Sequence, residues 1–308
     1  MAQLSEAQRR DFHETGYLAI SGFFTDEELD WADQAYERVW RELPPDVVVD
    51  SEATGRRIRI ENLTEEERKL SFKVNDLYLR DGLLRDAVIS ARLGAILAEL
   101  LDDQPVVINT LSVEYGTQQA DHLDTLFMTP RTPGALAATW MALEDVDDDA
   151  GPLRYYPGSN HIEPFRFSDG GYHVRNEEMP HWTEYMADSV DRRGLAESRF
   201  IAKRGDLFIW DAWLLHGGSQ ICTPGLSRRS LITHYFTRTD CKALQADLRP
   251  ARGGWWMNRP PQAVADEAAQ DTDPAIDELE DETGASVRSS SRRLRKLWRA
   301  GSRTRKSS

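Results

Sequence analysis

Gly205-Asp206-Leu207-Phe208-Ile209-Trp210, then Leu215-His216-Gly217-Gly218, then Ser227-Arg228-Arg229-Ser230-Leu231-Ile232: these pieces decide the architecture of this 308-residue chain. The first is a short apolar run opened by Gly-Asp, which reads as a strand. A histidine follows at its exit, before two glycines, and a second strand begins near Ser230. Similar runs, bounded by Gly, Pro, Asn and Asp, lie upstream at residues 106–111, 135–143 and 153–156. This spacing between about 104 and 239 predicts an all-β sandwich or barrel. Inside it, residues 165–204 hold Tyr172, His173, Arg175, Trp182 and Tyr185. A segment of that length in a compact β domain predicts a lid or an inserted element.

Outward from this core the texture changes. The residues before about 100 read mainly as helix. Thr25-Asp26-Glu27-Glu28 is a helix start, with a capping hydroxyl and acids that suit the dipole. Leu29, Ala32, Ala35 and Tyr36 follow at helical spacing. Tyr17-Leu18-Ala19-Ile20 before Ser21-Gly22 reads as a short strand and turn. Residues 81–101 read as a second helical region, with Leu84, Ala87, Val88, Ala91, Leu93, Ile96 and Leu97 on a broad apolar face.

At the other end, residues 263–287 hold nine acids and no Lys or Arg, and residues 288–308 hold nine bases and no acids. Such blocks read as a largely disordered tail. Leu294, Leu297 and Trp298 among Arg292, Arg293, Arg295, Lys296 and Arg299 would make a short basic amphipathic helix. That allows weak contact with an anionic surface; a solvated tail is the plainer alternative. The chain thus divides into a domain over 1–262 and a tail over 263–308.

The chain has 38 Lys+Arg against 52 Asp+Glu, a net charge of −14. The two tail blocks cancel, so that charge sits on residues 1–262. An acidic body argues against a specific nucleic-acid binder, which needs clustered bases. Two cysteines, Cys222 and Cys241, exclude a disulfide framework or a four-cysteine zinc site. Residues 1–10 lack a basic start followed by an apolar stretch, and no run approaches the ~20 apolar residues of a membrane span. A soluble, cytoplasmic protein is the expectation.

His122-Leu123-Asp124 is the chain's sole His-x-Asp. Residues two apart on a strand share a face, so both side chains can enter a barrel interior. His216, at a strand exit, can join them. Two His and one carboxylate with open positions form the facial triad of non-haem Fe(II) oxygenases. Arg228, twelve residues after His216, adds a forked, permanently charged guanidinium suited to a dicarboxylate. The competing reading makes Arg228 and Arg229 a surface pair at a strand start.

Further motifs appear in order: Trp140-Met141-Ala142-Leu143-Glu144-Asp145-Val146, Gly151-Pro152-Leu153 and Pro157-Gly158-Ser159-Asn160-His161. With Glu14-Thr15-Gly16-Tyr17, Gly22-Phe23-Phe24 and Lys73-Val74-Asn75-Asp76-Leu77, the series resembles the phytanoyl-CoA dioxygenase family over roughly residues 10–240. That family includes ectoine hydroxylase and related oxygenases. The resemblance implies a mainly β fold, a double-stranded β-helix (a cupin-like jelly-roll) with N-terminal helices packed outside. It implies Fe(II), 2-oxoglutarate as co-substrate and O2. His122, Asp124 and His216 would hold iron, and Arg228 would pair with the distal carboxylate of 2-oxoglutarate. Thr139 and Trp140 lie where the family contacts co-substrate, and Ser230 could share its carboxylate.

Two features depart from the pattern. His216 to Arg228 is one residue longer than expected, which Pro224-Gly225 could absorb and which keeps Arg229 in contention. Asn160 interrupts the usual Pro-Gly-Ser-His, making His161 a turn or rim residue. Asp124 argues for oxygenation over halogenation, since related halogenases replace this carboxylate with a small residue. The reaction implied is hydroxylation of an unactivated C–H in a small, polar substrate, releasing succinate and CO2. His173 and His181 are candidate substrate contacts, His13 and His234 structural residues, and Cys222 a buried or half-buried thiol. Two alternatives stand beside this: a divalent-metal hydrolase or isomerase on the same barrel, and a non-catalytic binding protein using its basic tail.

Overall fold

The structure, a computed structural model, describes residues 4–51 and 54–264. Helix α1 (Glu6–Thr15) and helix α2 (Asp26–Glu42) both begin with capping boxes, Ser5 with Gln8 and Thr25 with Glu28. Each box satisfies two otherwise orphaned N–H groups. Between them lies β1 (Tyr17–Ile20). α2 buries Leu29, Ala32, Ala35, Tyr36 and Val39, the stripe its spacing predicts.

Three strands follow where helix was expected: β2 (Val48–Ser51), β3 (Arg57–Arg59) and β4 (Phe72–Asn75). They are short and pair only with one another and with the main sheet, so no local signal long enough to register marks them. Residues 81–101 form two helices, α3 (Gly82–Val88) and α4 (Ala91–Leu101). Ser90 divides them by capping α4 through its hydroxyl, an interruption that the continuous apolar face concealed.

The β region contains β5 (Pro105–Val113), β6 (Leu136–Ala142), β7 (Leu153–Tyr155), β8 (Ser198–Phe200), β9 (Leu207–Asp211), β10 (His216–Gly218) and β11 (Ser230–Thr237). Helix α5 (Met179–Arg193) lies between β7 and β8, and α6 (Arg238–Ala243), β12 (Leu248–Ala251) and β13 (Gly254–Met257) complete the order. The large sheet runs β1-β9-β6-β11-β5-β4-β2-β3, and β10-β7-β8 form a small sheet. This is a jelly-roll with helices outside the large sheet.

Period-two alternation assigns the faces. On β6, Ala137 and Met141 join the cluster containing the N-terminal helices, whereas Ala138, Trp140 and Ala142 pack with the small sheet's Leu153 and Tyr155. On β9, Leu207 and Ile209 face the helices, and Phe208 and Trp210 face inward. The inner face therefore becomes the wall of the site. The segment 165–204 holds α5 and one strand of the small sheet; Trp182 and Met186 seal it against Leu123 and Leu126.

The acidic and basic tail blocks, with the proposed Leu294–Trp298 face, fall on residues 265–308, outside the described residues. No described helix is long and apolar enough to cross a membrane.

Candidate active site

His122 sits in the loop after β5 and His216 opens β10. The two are joined by reciprocal backbone bonds, His122 N–H to His216 O at 2.8 Å and His216 N–H to His122 O at 3.1 Å. The glycines after His216 let residues 117–121 lie directly over them. A Cβ on Gly218 would stand 2.8 Å from Gln118 N, and one on Gly217 2.7 Å from Asp121 Oδ1. Arg154, on β7, fastens the loop by donating to Asp121 Oδ1 (2.6 Å) and to Gly218 O (2.5 Å).

Each imidazole has its Nδ1 against a main-chain carbonyl: Ala120 O at 2.8 Å for His122, Leu214 O at 3.0 Å for His216. A carbonyl only accepts, so Nδ1 carries the proton and Nε2 presents its lone pair. Both Nε2 atoms face Asp124 Oδ1, at 3.8 Å for His122 and 3.6 Å for His216. The three donor atoms lie within 4.8 Å of one another. Asp124 itself starts a 3-10 turn rather than continuing a strand. Extended backbone at Leu123 is enough to put it on the same side as His122.

The electrostatics suit a cation. Burial, reinforced by His216, pushes the His122 imidazole down to about 3, so it stays neutral. Burial alone would raise the Asp124 carboxyl, but His216, His234 and His122 around it hold it well below the usual range. A neutral His122, a second imidazole from His216 and one carboxylate are the N/O donor set that suits a divalent transition metal.

Arg228, Ser230, Ile232 and His234 alternate onto the inner face of β11 and the residues leading into it. Arg228 and Ser230 are buried, and neither Arg228 Nε nor Ser230 Oγ has a hydrogen-bond partner. The guanidinium lies 5.6 Å from the Trp140 ring, whose Nε1 is likewise buried without a partner. Burial lowers Arg228 only to about 10, leaving it charged at neutral pH. Among the described residues no carboxylate pairs with it. A buried unpaired charge is costly, by several kcal/mol, so this position calls for an anion.

Arg229 points the other way. It donates to Asp33 Oδ1 at 2.7 Å on α2, beside Tyr36. Between His216 and Arg228 the chain turns at Pro224-Gly225, where Gly225 takes φ +88° in the left-handed region. Thr139 departs from its expected role. It lies on the helix-facing side of β6, its hydroxyl 3.2 Å from Tyr235 Oη, which donates to Val88 O on α3. One step of register separates it from Trp140, and that step reverses the face.

The candidates in 165–204 are mostly engaged in holding that segment together. Trp182 is core, Arg175 pairs with Asp169 and Tyr185 bonds Glu163 O. His173 lies 3.2 Å from Thr129 Oγ1, and His181 is exposed on α5. His161 and His13 are exposed, the former in the turn at Ser159–His161. Cys222 is exposed rather than buried, because its loop leaves the barrel between Ile221 and the Pro224-Gly225 turn. Two residues had no assigned part in the site: Trp210 donates to Asp124 Oδ2 at 2.7 Å, and His234 Nε2 faces the same oxygen at 3.5 Å. Period-two counting from Phe208 and from Ser230 would have put both on the inner face.

Comparison with known proteins gives a family and a fold. The family model described as phytanoyl-CoA dioxygenase (PhyH) matches residues 12–230. Phytanoyl-CoA dioxygenase domain-containing protein 1 of Mus musculus is 23% identical over 194 residues, 52% of this chain and 67% of that protein. Among solved structures, the non-heme alpha-ketoglutarate-dependent carbocyclase SnoK from nogalamycin biosynthesis superposes with a TM-score of 0.56 at 19% identity, covering 76% of this chain and 84% of its own. EctD from S. alaskensis, crystallised with 2-oxoglutarate and 5-hydroxyectoine, gives 0.56 at 16% identity, covering 85% and 86%. EctD has also been crystallised with bound Fe. At these identities the structural likeness speaks for the fold.

Proposed function

The chain belongs to the phytanoyl-CoA dioxygenase family, and we propose that it is an Fe(II)- and 2-oxoglutarate-dependent dioxygenase that hydroxylates a small, polar organic molecule. The observation that carries this reading is the buried, carboxylate-free Arg228 on the sheet face whose Trp210 and His234 meet Asp124 of the His122, Asp124 and His216 cluster. A metal triad alone serves many chemistries; a buried guanidinium on the same inner wall adds the need for a carboxylate-bearing co-substrate. When bound, Fe(II) with 2-oxoglutarate and O2 supplies the oxidising power, one oxygen atom going to the substrate C–H and the other to succinate, with release of CO2.

The chain's own residues divide the remaining work. His122 and His216 would donate through Nε2 and Asp124 through Oδ1, leaving about three of six positions open. Arg228 would receive the distal carboxylate, with Ser230 Oγ beside it, while Trp140 walls the pocket and keeps water from the ion pair. Asp124 supplies a carboxylate where a halogenase has none, which supports oxygenation. The ring of His122 meets Phe127 edge-on at 5.7 Å.

The test is anaerobic addition of Fe(II) and then 2-oxoglutarate, read as a weak visible charge-transfer band. The band should form with the native protein and be lost in Arg228→Ala, and a substrate screen should then register 2-oxoglutarate consumption. A band of equal strength in both proteins removes Arg228 from the site. No band with either favours a metal hydrolase or isomerase, which has no use for a carboxylate clamp.

A further inference from the structure

Asp124 offers one oxygen to the cluster and has the other tied down. Its Oδ2 accepts from Trp210 Nε1 at 2.7 Å and stands 3.5 Å from His234 Nε2. His234 is in turn fixed from behind. Its Nδ1 lies 3.0 Å from Asn109 Oδ1, and Asn109 Nδ2 donates to Asp76 Oδ1 at 3.0 Å. The second bond settles which end of the amide faces the histidine, because a carboxylate accepts and only the NH2 end can donate. Asp76 Oδ1 also accepts from Thr110 N–H at 3.2 Å, and its Oδ2 accepts from Arg259 Nη2 at 2.7 Å.

The series thus runs from the metal cluster to the segment after β13 without leaving the protein interior. His234, Asn109 and Asp76 are all buried, and Arg259 is nearly so. Asp76 sits at φ +58°, in the left-handed region that a non-glycine residue occupies at a cost. Both its carboxylate oxygens are used, which is what holds it there. His234 and Arg259 lie beyond residues 12–230, the part of the chain shared with the family model.

We propose that the line His234–Asn109–Asp76–Arg259 is a positioning device that keeps Asp124 a one-oxygen ligand. The consequence lies in coordination arithmetic, and it rests on the reading that His122, Asp124 and His216 hold the metal. A metal with about six positions keeps three open if each protein ligand gives one atom. A carboxylate that swings to give both oxygens takes one of those three, and a two-point chelating co-substrate plus O2 need all of them. Trp210 Nε1 donates to Oδ2, and the His234 ring, whose Nδ1 proton goes to Asn109 Oδ1, stands against that oxygen as a wall on the side from which the swing would start. Arg259, by fixing Asp76 and through it the Asn109 amide, fixes the ring of His234. The segment that follows the last strand thereby sets the metal's open positions without touching it.

The experiment uses Co(II) as the probe in the full chain, with affinity and d–d spectrum as readouts. Arg259→Gln should weaken Co(II) binding about tenfold, the lower end of the loss that outer partners of metal ligands show. Its spectrum should shift toward a higher coordination number. Arg259→Lys should restore most of both. His234→Gln, a second route to the same end if Arg259→Gln does not fold, should show the same shift. Arg38→Gln, which breaks the ion pair with Asp81 at 2.8 Å away from the site, is the control for lost stability alone and should leave both readouts unchanged. Native affinity and spectrum in both Arg259→Gln and His234→Gln, or an equal shift in Arg38→Gln, overturns the positioning line while leaving the metal site standing. A native protein that binds no Co(II) overturns the metal site and the line together.

Discussion

Arg228 and Arg229 are adjacent in the chain and chemically identical, yet the sheet gives them opposite surroundings. Arg228 turns inward beside Trp140, buried and with no carboxylate beside it. Arg229 turns outward to Asp33 and Tyr36 on α2 and is half-buried. The same contrast recurs one strand away, with Trp140 inside and Thr139 outside bonded to Tyr235. The large sheet is thus two surfaces with separate tasks. Its outer face anchors the N-terminal helices, and its inner face carries Arg228, Ser230 and Trp140, each with a buried polar atom that no protein group satisfies. A buried polar group without a partner costs roughly 1–3 kcal/mol, so three of them on one sheet face are informative about function.

The sharpest way to break this contrast is to remove the cluster itself. Alanine at His122, Asp124 or His216 should abolish substrate-dependent succinate formation, measured once a substrate is found. Turnover retained in any of the three would sink the assignment. Next comes the arginine pair. Arg228→Ala should raise the KM for 2-oxoglutarate about a hundredfold, the loss expected for a buried charge pair worth roughly 3 kcal/mol. Arg229→Ala should leave that KM within twofold and cost no more than about 1 kcal/mol in urea unfolding, as a partly exposed pair does. Comparable effects on KM would mean that the two faces are not functionally distinct.

A smaller effect separates the hydroxyls. Ser230→Ala should raise the 2-oxoglutarate KM about fivefold, from one neutral hydrogen bond of roughly 1 kcal/mol, while Thr139→Val should change stability and not KM. The smallest test concerns two buried carboxylates. Asp124 has histidines around it and is held ionised, whereas burial raises Asp211 to about 6, only partly offset by the N–H groups of Trp213 and Leu214, Asn160 and the charge of His161. Because its folded value lies above the reference 3.8, the contribution of Asp211 to stability is full below that pH and is lost as pH rises toward 6. Asp211→Asn should therefore flatten the stability profile across that window, as followed by thermal melts at successive pH values. A profile unchanged by the substitution would show that Asp211 is ionised throughout.

How much of this was legible beforehand depends on the range of the interaction. The caps at Thr25 and the apolar stripe of α2 are local and were readable, as were the longer inner strands with their alternating residues. Strands β2, β3 and β4 were not, because three or four residues carry too little pattern and their stability comes from distant partners. Ser90 was hidden for the opposite reason: one capping hydroxyl inside a long apolar run is outvoted by its neighbours. In the site, His122, Asp124, His216, Arg228 and Ser230 were singled out by residue type and spacing. Thr139 was misplaced by one step of register. His234 and Trp210 were passed over because their roles depend on Asp124, which is 86 residues away from Trp210.

Residue order alone settles which chemistry is available: a carboxylate two residues from one histidine, a distant second histidine, and an arginine leading into the last inner strand. It also determined the face of each residue up to the register, since alternation along a strand is a property of the backbone. Which arginine is inside, which oxygen of Asp124 is free, and which tautomer each ligand histidine adopts are settled only once the chain has folded. Those depend on groups that chain folding brings from elsewhere: Asp33 on α2, Trp210 on β9, and the carbonyls of Ala120 and Leu214. Residue type fixes what a side chain can donate or accept, and only packing fixes what stands opposite it.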